Sequence, residues 1–354
     1  MVVEPTDALD EIHFRASRLL SEVASPSCIK LIQLGVGGNN RVYRVETGTQ
    51  VFLLKEYFRH PGDARDRLKA EFDFTKFAWA AGIRCIPEPV ANDIAEGVAL
   101  FSFIDGNRIA PGTLTAADIK QAIEFVVALN SYRNIPEARK LLPGSEACFS
   151  ISQHLDMMNK RLDRLSRILP VSSVDYEALE FVSTKLVPAH LLVVKQLLAC
   201  VEEGEIALAI DLLPDEQIIS PSDFGFHNAL RRPDGSIAFL DFEYAGWDDP
   251  AKLTGDFFSQ VAVPVPLTYK NDVLNAIADI LPDPESAWKR MNLLLPLYRI
   301  KWCCIVLNHF LPVDSSRKNF AQGNVSEEFK AGQLAKADSL LASLKQLNIC
   351  TKGD

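Results

Sequence analysis

Ser220-Pro-Ser-Asp223-Phe-Gly-Phe-His-Asn228 sets an aspartate five residues before an asparagine, and Phe239-Leu-Asp241-Phe-Glu243 places a second aspartate after a short apolar run. Asp and Asn fill turns everywhere, so the first spacing carries little alone. With Asp241 behind it, the set fits phosphoryl transfer. Asp223 would accept a proton from a substrate hydroxyl, while Asn228 and Asp241 would hold Mg2+ against the phosphates of a nucleotide. Magnesium prefers hard oxygen ligands and keeps several waters, so one carboxylate, one amide oxygen and the phosphates suffice. Glu243 would face the same side as Asp241 if the strand continues, as a further metal ligand or a substrate contact. His227 reads as a loop-shaping residue and not as a base.

Further parts stand upstream in the right order. Gly35-Val-Gly37-Gly38-Asn39-Asn40 separates two strand-like runs. A dinucleotide fingerprint would instead lead into a helix, and no Gly-Lys-Ser/Thr exists for a P-loop. A glycine loop between strands can fold over ATP phosphates, because glycine lets the backbone approach them closely. Lys55 closes the apolar run Val51-Phe-Leu-Leu54. A buried ammonium needs a counter-charge, and Glu71 on the following helix is the natural one. That pair would hold Lys55 towards the phosphates, with Glu56 and Lys69 near enough in sequence to compete.

The elements that must position these residues divide near Asp105-Gly106. Residues 1–105 read as a nucleotide-binding N-lobe: a helix over Ala8–Val23, strands over Ile29–Leu34, Arg41–Glu46 and Val51–Tyr57, and a helix over Arg65–Ala81 stopped by Gly82. Strand-like pieces over Pro87–Asn92 and Val98–Ile104 complete it. Residues 106–354 read as a mainly helical C-lobe. Its expected helices are Ala116–Asn130 capped by Thr115, His154–Leu169, Tyr176–Glu203 interrupted by Pro188, Glu285–Phe310 and Glu327–Leu347. Embedded among them are short strands at Gln217–Ser220, Ala229–Arg231 and Ile237–Phe242. The fold class expected is therefore α+β, with a small sheet-rich lobe and a large helical one.

With 48% hydrophobic and 23% charged residues, the chain has an ordinary globular composition, and its net charge of -9 argues against a nucleic-acid partner. The acidic start does not read as a signal peptide, and the apolar stretch Met291–Leu311 contains Arg299 and Lys301, so it reads as a buried helix and not a membrane span. Unpaired cysteine spacing, with Cys303 and Cys304 in a core-like run, points to a reduced, cytoplasmic setting.

Taken together these residues resemble the aminoglycoside phosphotransferase and choline kinase family, which shares the two-lobed protein-kinase-like fold. Gly37-Gly38-Asn39-Asn40-Arg41-Val42-Tyr43 is similar to its nucleotide loop, and Leu100-Phe-Ser-Phe-Ile-Asp-Gly106 to its hinge. Asp223-x-x-x-x-Asn228 and Leu240-Asp-Phe-Glu243 resemble its catalytic loop and metal-binding strand. Trp247-Asp-Asp-Pro250 through Asp256 resembles the Asp-Pro segment before its next helix, so the likeness runs from Leu31 to Phe258. The resemblance implies ATP and Mg2+ as cofactors, adenine against the backbone of Ser102, Phe103 and Ile104, and a small hydroxyl-bearing acceptor. One departure stands out: Pro221-Ser222-Asp223 replaces the family's His-Gly-Asp.

The expectation is thus an ATP-dependent small-molecule kinase acting on an aminoglycoside, sugar or amino alcohol. Pro221 motivates an alternative, a pseudokinase serving as nucleotide sensor or scaffold, and a nucleotidyl transferase on the same fold is a third reading. Glu243, Asp248 and Asp249 would contribute to an acidic acceptor pocket, and they equally fit metal binding and helix capping.

Overall fold

Alternation along one strand decides which residues can meet. In the computed structural model, which describes residues 5–23, 29–36, 40–59, 65–203, 207–311 and 326–347, the chain forms two compact units. The first runs through Asn107 and takes in Leu230–Tyr244; the second holds Arg108–Ala229 and the described residues from Ala245 on. The strands are β1 (Lys30–Val36), β2 (Asn40–Glu46), β3 (Val51–Tyr57), β4 (Pro89–Asp93), β5 (Val98–Ser102), β6 (Asn107–Arg108), β7 (Ile218–Ser220), β8 (Ala229–Arg231), β9 (Ile237–Phe239) and β10 (Gly246–Asp248).

In the first unit, β1 to β5 make an antiparallel sheet in the order β1-β2-β3-β5-β4. Phe52 and Leu54 point to one face, where they pack with Val45 and Leu100 against Ile12, Ala16, Leu19 and Leu20 of helix α1 (Pro5–Val23). Successive side chains of a strand alternate, so Leu53, Lys55 and Tyr57 point the other way. On that face Tyr57, Ala99 and Phe101 pack against Leu68 and Phe72 of α2 (Arg67–Ala80). Helix α2 starts on Asp66, whose side chain accepts the Lys69 N–H at 3.0 Å. It stops at Gly82 (φ +85), where Ile83 N–H returns to Ala78 O at 3.0 Å. That six-to-one bond needs a left-handed residue, which glycine supplies without a Cβ penalty.

The second unit is helical: α3 (Ala116–Asn130), α4 (Ile151–Leu165), α5 (Ser173–Phe181), α6 (Val187–Glu202), α7 (Pro250–Ser259), α8 (Lys270–Ala278), α9 (Pro284–Leu307) and α10 (Glu327–Ala342). The capping box expected at Thr115 is present, with Thr115 and Asp118 bonding reciprocally. Pro188 does not interrupt the helix as expected. A π turn over Val182–Leu186 precedes it, with Val187 N–H reaching back to Val182 O. The wider turn moves the carbonyls that the proline ring would strike, so α5 and α6 run on. By length and composition the stretch Ser173–Glu202 is also long enough to cross a membrane. Helix α8 was not anticipated.

Helix α9 is the centre of this unit, packing against α4, α6, α7, α8 and α10, and Cys303 and Cys304 are buried in it. Its closest neighbour is α7, at Gly255. A Cβ on Gly255 would fall on the ring of Tyr298. Gly255→Ala is therefore expected to destabilise the protein by about 1–3 kcal/mol through overpacking. Urea unfolding should show a lower midpoint at unchanged slope; an unchanged midpoint would mean that Tyr298 moves aside freely.

Candidate active site

In the first unit Lys55 leaves β3 on the α2 face, and its Nζ donates to Glu71 Oε1 (2.7 Å), Glu71 Oε2 (2.9 Å) and Asp241 Oδ1 (2.8 Å). Tyr57, on the same face, donates its hydroxyl to Glu71 Oε2 at 2.6 Å, and the Phe242 N–H reaches Glu71 Oε1 at 3.3 Å. The competing residues are spoken for elsewhere. Glu56 lies on the α1 face and accepts from Arg15 at 3.3 Å, while Lys69 points outward to Asp73. Burial disfavours the Lys55 ammonium, but Asp241 and Glu71 outweigh it and hold its pKa above the ordinary lysine value. Burial likewise raises Glu71, in spite of Lys55.

Two carboxylates on one ammonium leave a surplus negative charge. The surplus is presented outward: the Asp241 side chain is 41% exposed, against 8% for Lys55. The strand expected to run to Phe242 stops at Phe239, because Asp241 takes φ +66 and turns the chain. Alternation therefore does not carry over to Glu243. Its carboxylate is 3% exposed, lies 3.8 Å from Arg67 Nε and accepts Asn40 Nδ2 at 2.7 Å. The reading of Glu243 as a metal or substrate ligand rested on a continuous strand; here it ties the first residue of β2 to the Asp241 segment.

Among the nucleotide residues, Gly35 lies on β1 beside a register shift between Gln33 and Gly35, and Gly37 and Gly38 fall outside the described residues. Strand β5 ends at Ser102 and not at Ile104. Ser102 N–H donates to Glu88 O (2.9 Å), its hydroxyl accepts Glu88 N–H (2.8 Å), and Phe103 N–H donates to Val51 O (3.4 Å). The N–H groups of Ser102 and Phe103 are thus taken up within this unit. Ile104 follows beyond the strand end.

In the second unit the loop after β7 carries Asp223, His227 and Asn228. Asn130, at the end of α3, fixes β7 by donating to Ile219 O (3.0 Å) and accepting from Ile219 N–H (2.8 Å). Phe224 and Phe226 anchor the loop from below; Phe224 stacks on Phe257 at 5.3 Å between ring centres. Asp223, His227 and Asn228, which flank the two rings in sequence, are only half-buried. Asp223 Oδ1 lies 3.2 Å from His227 Nε2, and Asn228 Nδ2 donates to Asp223 O (2.9 Å) and Oδ2 (3.3 Å). Its NH2 group is therefore used on Asp223, which leaves the amide oxygen to offer an electron pair to a metal ion. Burial pushes Asp223 up, but His227 and Asn228 more than offset this and hold its carboxyl below the usual aspartate range.

Beneath the loop lie buried charge pairs that the sequence reading did not anticipate. Asp249 accepts from Arg290 Nε (2.7 Å) and Ala251 N–H (2.7 Å), and His154 Nε2 is 3.0 Å from it. The imidazole bridges Asp249 and the Tyr298 hydroxyl, which lies 2.8 Å from Nδ1. Lys301 pairs with Asp256 at 2.8 Å, and Trp302 Nε1 donates to the same carboxylate at 2.7 Å. Lys252 pairs with Asp248. Asp248 and Asp249 are thus buried partners of internal cations, and the acidic acceptor pocket expected of them is not formed by them. The available signal was Lys252, Arg290 and Lys301 inside otherwise apolar helices, since a buried cation implies a buried anion.

A sheet unit with a Lys–Glu pair and a helical unit with an Asp-to-Asn loop define the protein-kinase-like class of phosphotransferases. The chain belongs to the phosphotransferase enzyme family, whose model matches residues 30–252. No curated protein sequence matches it. Among solved structures it is similar to spectinomycin phosphotransferase in complex with ADP and spectinomycin, at TM-score 0.60 and 12% identity over 94% of this chain and 98% of that one. It is also similar to a choline kinase of Streptococcus pneumoniae (TM-score 0.56, 14% identity, covering 94% and 99%). A choline/ethanolamine kinase family protein of Mesorhizobium loti gives TM-score 0.55 and 18% identity over 95% and 99%.

Proposed function

We propose that this phosphotransferase is an ATP-dependent kinase that phosphorylates a hydroxyl group of a small molecule such as an aminoglycoside, a sugar or an amino alcohol. The observation that carries the reading is the buried ammonium of Lys55, held between Glu71 and the exposed carboxylate of Asp241. An ammonium fixed in this way is set to meet phosphate oxygens, and fixed charge costs no reorganisation when the phosphoryl group moves. The acceptor oxygen would bond to the γ-phosphorus as the bond to the β-phosphate oxygen breaks, with its proton passing to Asp223. Asp223 is suited to this by being ionised at neutral pH and oriented by His227 and Asn228. Magnesium, when bound, would neutralise the phosphate oxygens, and Asp241 and the Asn228 amide oxygen are donors of the hard type it selects. Adenine would meet the backbone at Ile104, beyond the end of β5. The aminoglycoside and amino-alcohol acceptors are supported by the ligands and names of the structural relatives: spectinomycin, choline and ethanolamine.

The test is the melting temperature with ATP, with and without magnesium, for wild type and Asp241→Asn. A ligand at about 100 times its dissociation constant adds about 2.7 kcal/mol of stability to the native state. A magnesium-dependent rise that the variant loses is the expected result. Folded protein that responds to no nucleotide would end the kinase reading. Product mass then separates phosphate transfer from nucleotidyl transfer.

A further inference from the structure

The bend that presents Asp223 is held from behind by a charge. Ser222 is buried and takes φ +64, where an L-residue crowds its own backbone and glycine or asparagine is the usual occupant. A serine persists in such a conformation only where its surroundings over-determine it. Here they do: Ser222 N–H donates to Ser220 Oγ at 3.0 Å, its carbonyl accepts the Phe224 N–H, and its hydroxyl accepts Lys252 Nζ at 3.1 Å.

The last of these bonds comes from outside the loop. Lys252 lies in the first turn of α7, fully buried, with Asp248 as its counter-charge. Asp248 is itself fixed, ending β10 opposite Ile218 of β7 and accepting N–H groups from Cys148 (3.3 Å) and Asp249 (2.9 Å) through Oδ1. The ammonium therefore has one fixed anchor and one adjustable partner, the Ser222 hydroxyl. A buried ion pair is a poor device for stability alone, since apolar side chains of like volume usually serve as well. Its placement one residue from Asp223 fits a different use.

We propose that Lys252 is a positioning residue for phosphoryl transfer: through the Ser222 hydroxyl it locks the left-handed turn that orients the Asp223 carboxylate. This rests on the kinase reading of Asp223. Ser222→Ala removes the tether and leaves the Lys252–Asp248 pair intact. Ser222→Gly removes the tether and also relieves the backbone crowding. If the tether is what matters, both variants are impaired; if crowding alone matters, glycine is not.

The first readout needs no turnover. Crystal structures of both Ser222 variants should show the Asp223 carboxylate displaced from His227 Nε2 and Asn228 Nδ2, which lie 3.2 and 3.3 Å from it in the wild type. An unmoved carboxylate in both overturns the proposal. The second readout is kinetic: misplacing a reacting group by about 1 Å costs about a hundredfold, so kcat should fall by about tenfold or more. KM for ATP should stay within about twofold, as expected when only transition-state alignment is lost. Variants that keep the wild-type kcat overturn the proposal. A wild type that transfers no phosphate, with the carboxylate displaced in the variants, overturns the kinase reading and supports the lock. Lys252→Met would strand Asp248 in the interior, so Lys252→Met with Asp248→Asn is the companion variant, and it should reproduce Ser222→Ala.

Discussion

Asp223→Asn is expected to lower the rate of phosphate transfer by about 10²–10⁴-fold, the range typical of losing a positioned general base. The substitution is nearly isosteric. It keeps the backbone bond that Asn228 makes to residue 223 and removes the negative charge that His227 Nε2 faces. Binding of ATP should hold, because the groups proposed to meet the phosphates are Lys55 and Asp241, neither of which is altered. The pH dependence carries a second signature. His227 and Asn228 hold the Asp223 carboxyl below its usual range, so the base stays ionised further into acid than an ordinary aspartate. The acid limb of kcat should therefore fall below the ordinary aspartate value of about 3.9, provided the protein stays folded there. A variant retaining activity within about tenfold of wild type, well short of the loss a missing base causes, would remove Asp223 from the role of base.

Asp249→Asn is expected to give the largest loss of stability, about 3–5 kcal/mol at neutral pH, the cost of breaking a buried ion pair from one side. Asp249 is fully buried and serves Arg290, His154 and the start of α7 together. Asparagine would keep the cap and leave the Arg290 guanidinium without its counter-charge. Burial pushes Asp249 up, but Arg290 and His154 prevail and hold its carboxyl down at about 2. The folded value thus lies below the unfolded one of about 3.9, so the contribution is present above about pH 4 and is lost as pH falls through about 2. It amounts to about 3 kcal/mol. Urea unfolding of wild type and variant from neutral to acid pH should give curves that converge on acidification. Curves that run parallel into acid would show that Asp249 does not titrate with folding.

Several elements were legible locally. Strands β2 and β3 and helices α2 and α3 lie within a residue or two of where periodicity and caps put them, because each is set by its own alternation, its own N-cap or its own glycine stop. Alternation also bears on the Lys55 pairing: Lys55 and Glu56 must lie on opposite faces of β3, which removes Glu56 as a partner on the α2 side. Where local signals failed, a longer-range constraint had replaced them. The apolar run Ile237–Phe242 looks like one strand, yet the chain turns at Asp241 and the Lys55 ammonium takes its carboxylate. Pro188 looks like a break, yet a π turn absorbs it.

By itself the sequence determined the ordered set of chemical groups: a glycine loop, a lysine closing an apolar strand, a glutamate on the next helix, then Asp223, Asn228 and Asp241. These are properties of residue type and spacing. Only the tertiary structure decided which acids are free and which are consumed. Asp241 meets Lys55 across 186 residues, Glu243 is spent on Asn40 across 203, and Asp249 on Arg290 across 41. Burial penalises an internal charge without an opposite one, and for these three acids the partner depends on the packing of whole elements, far from them in the chain.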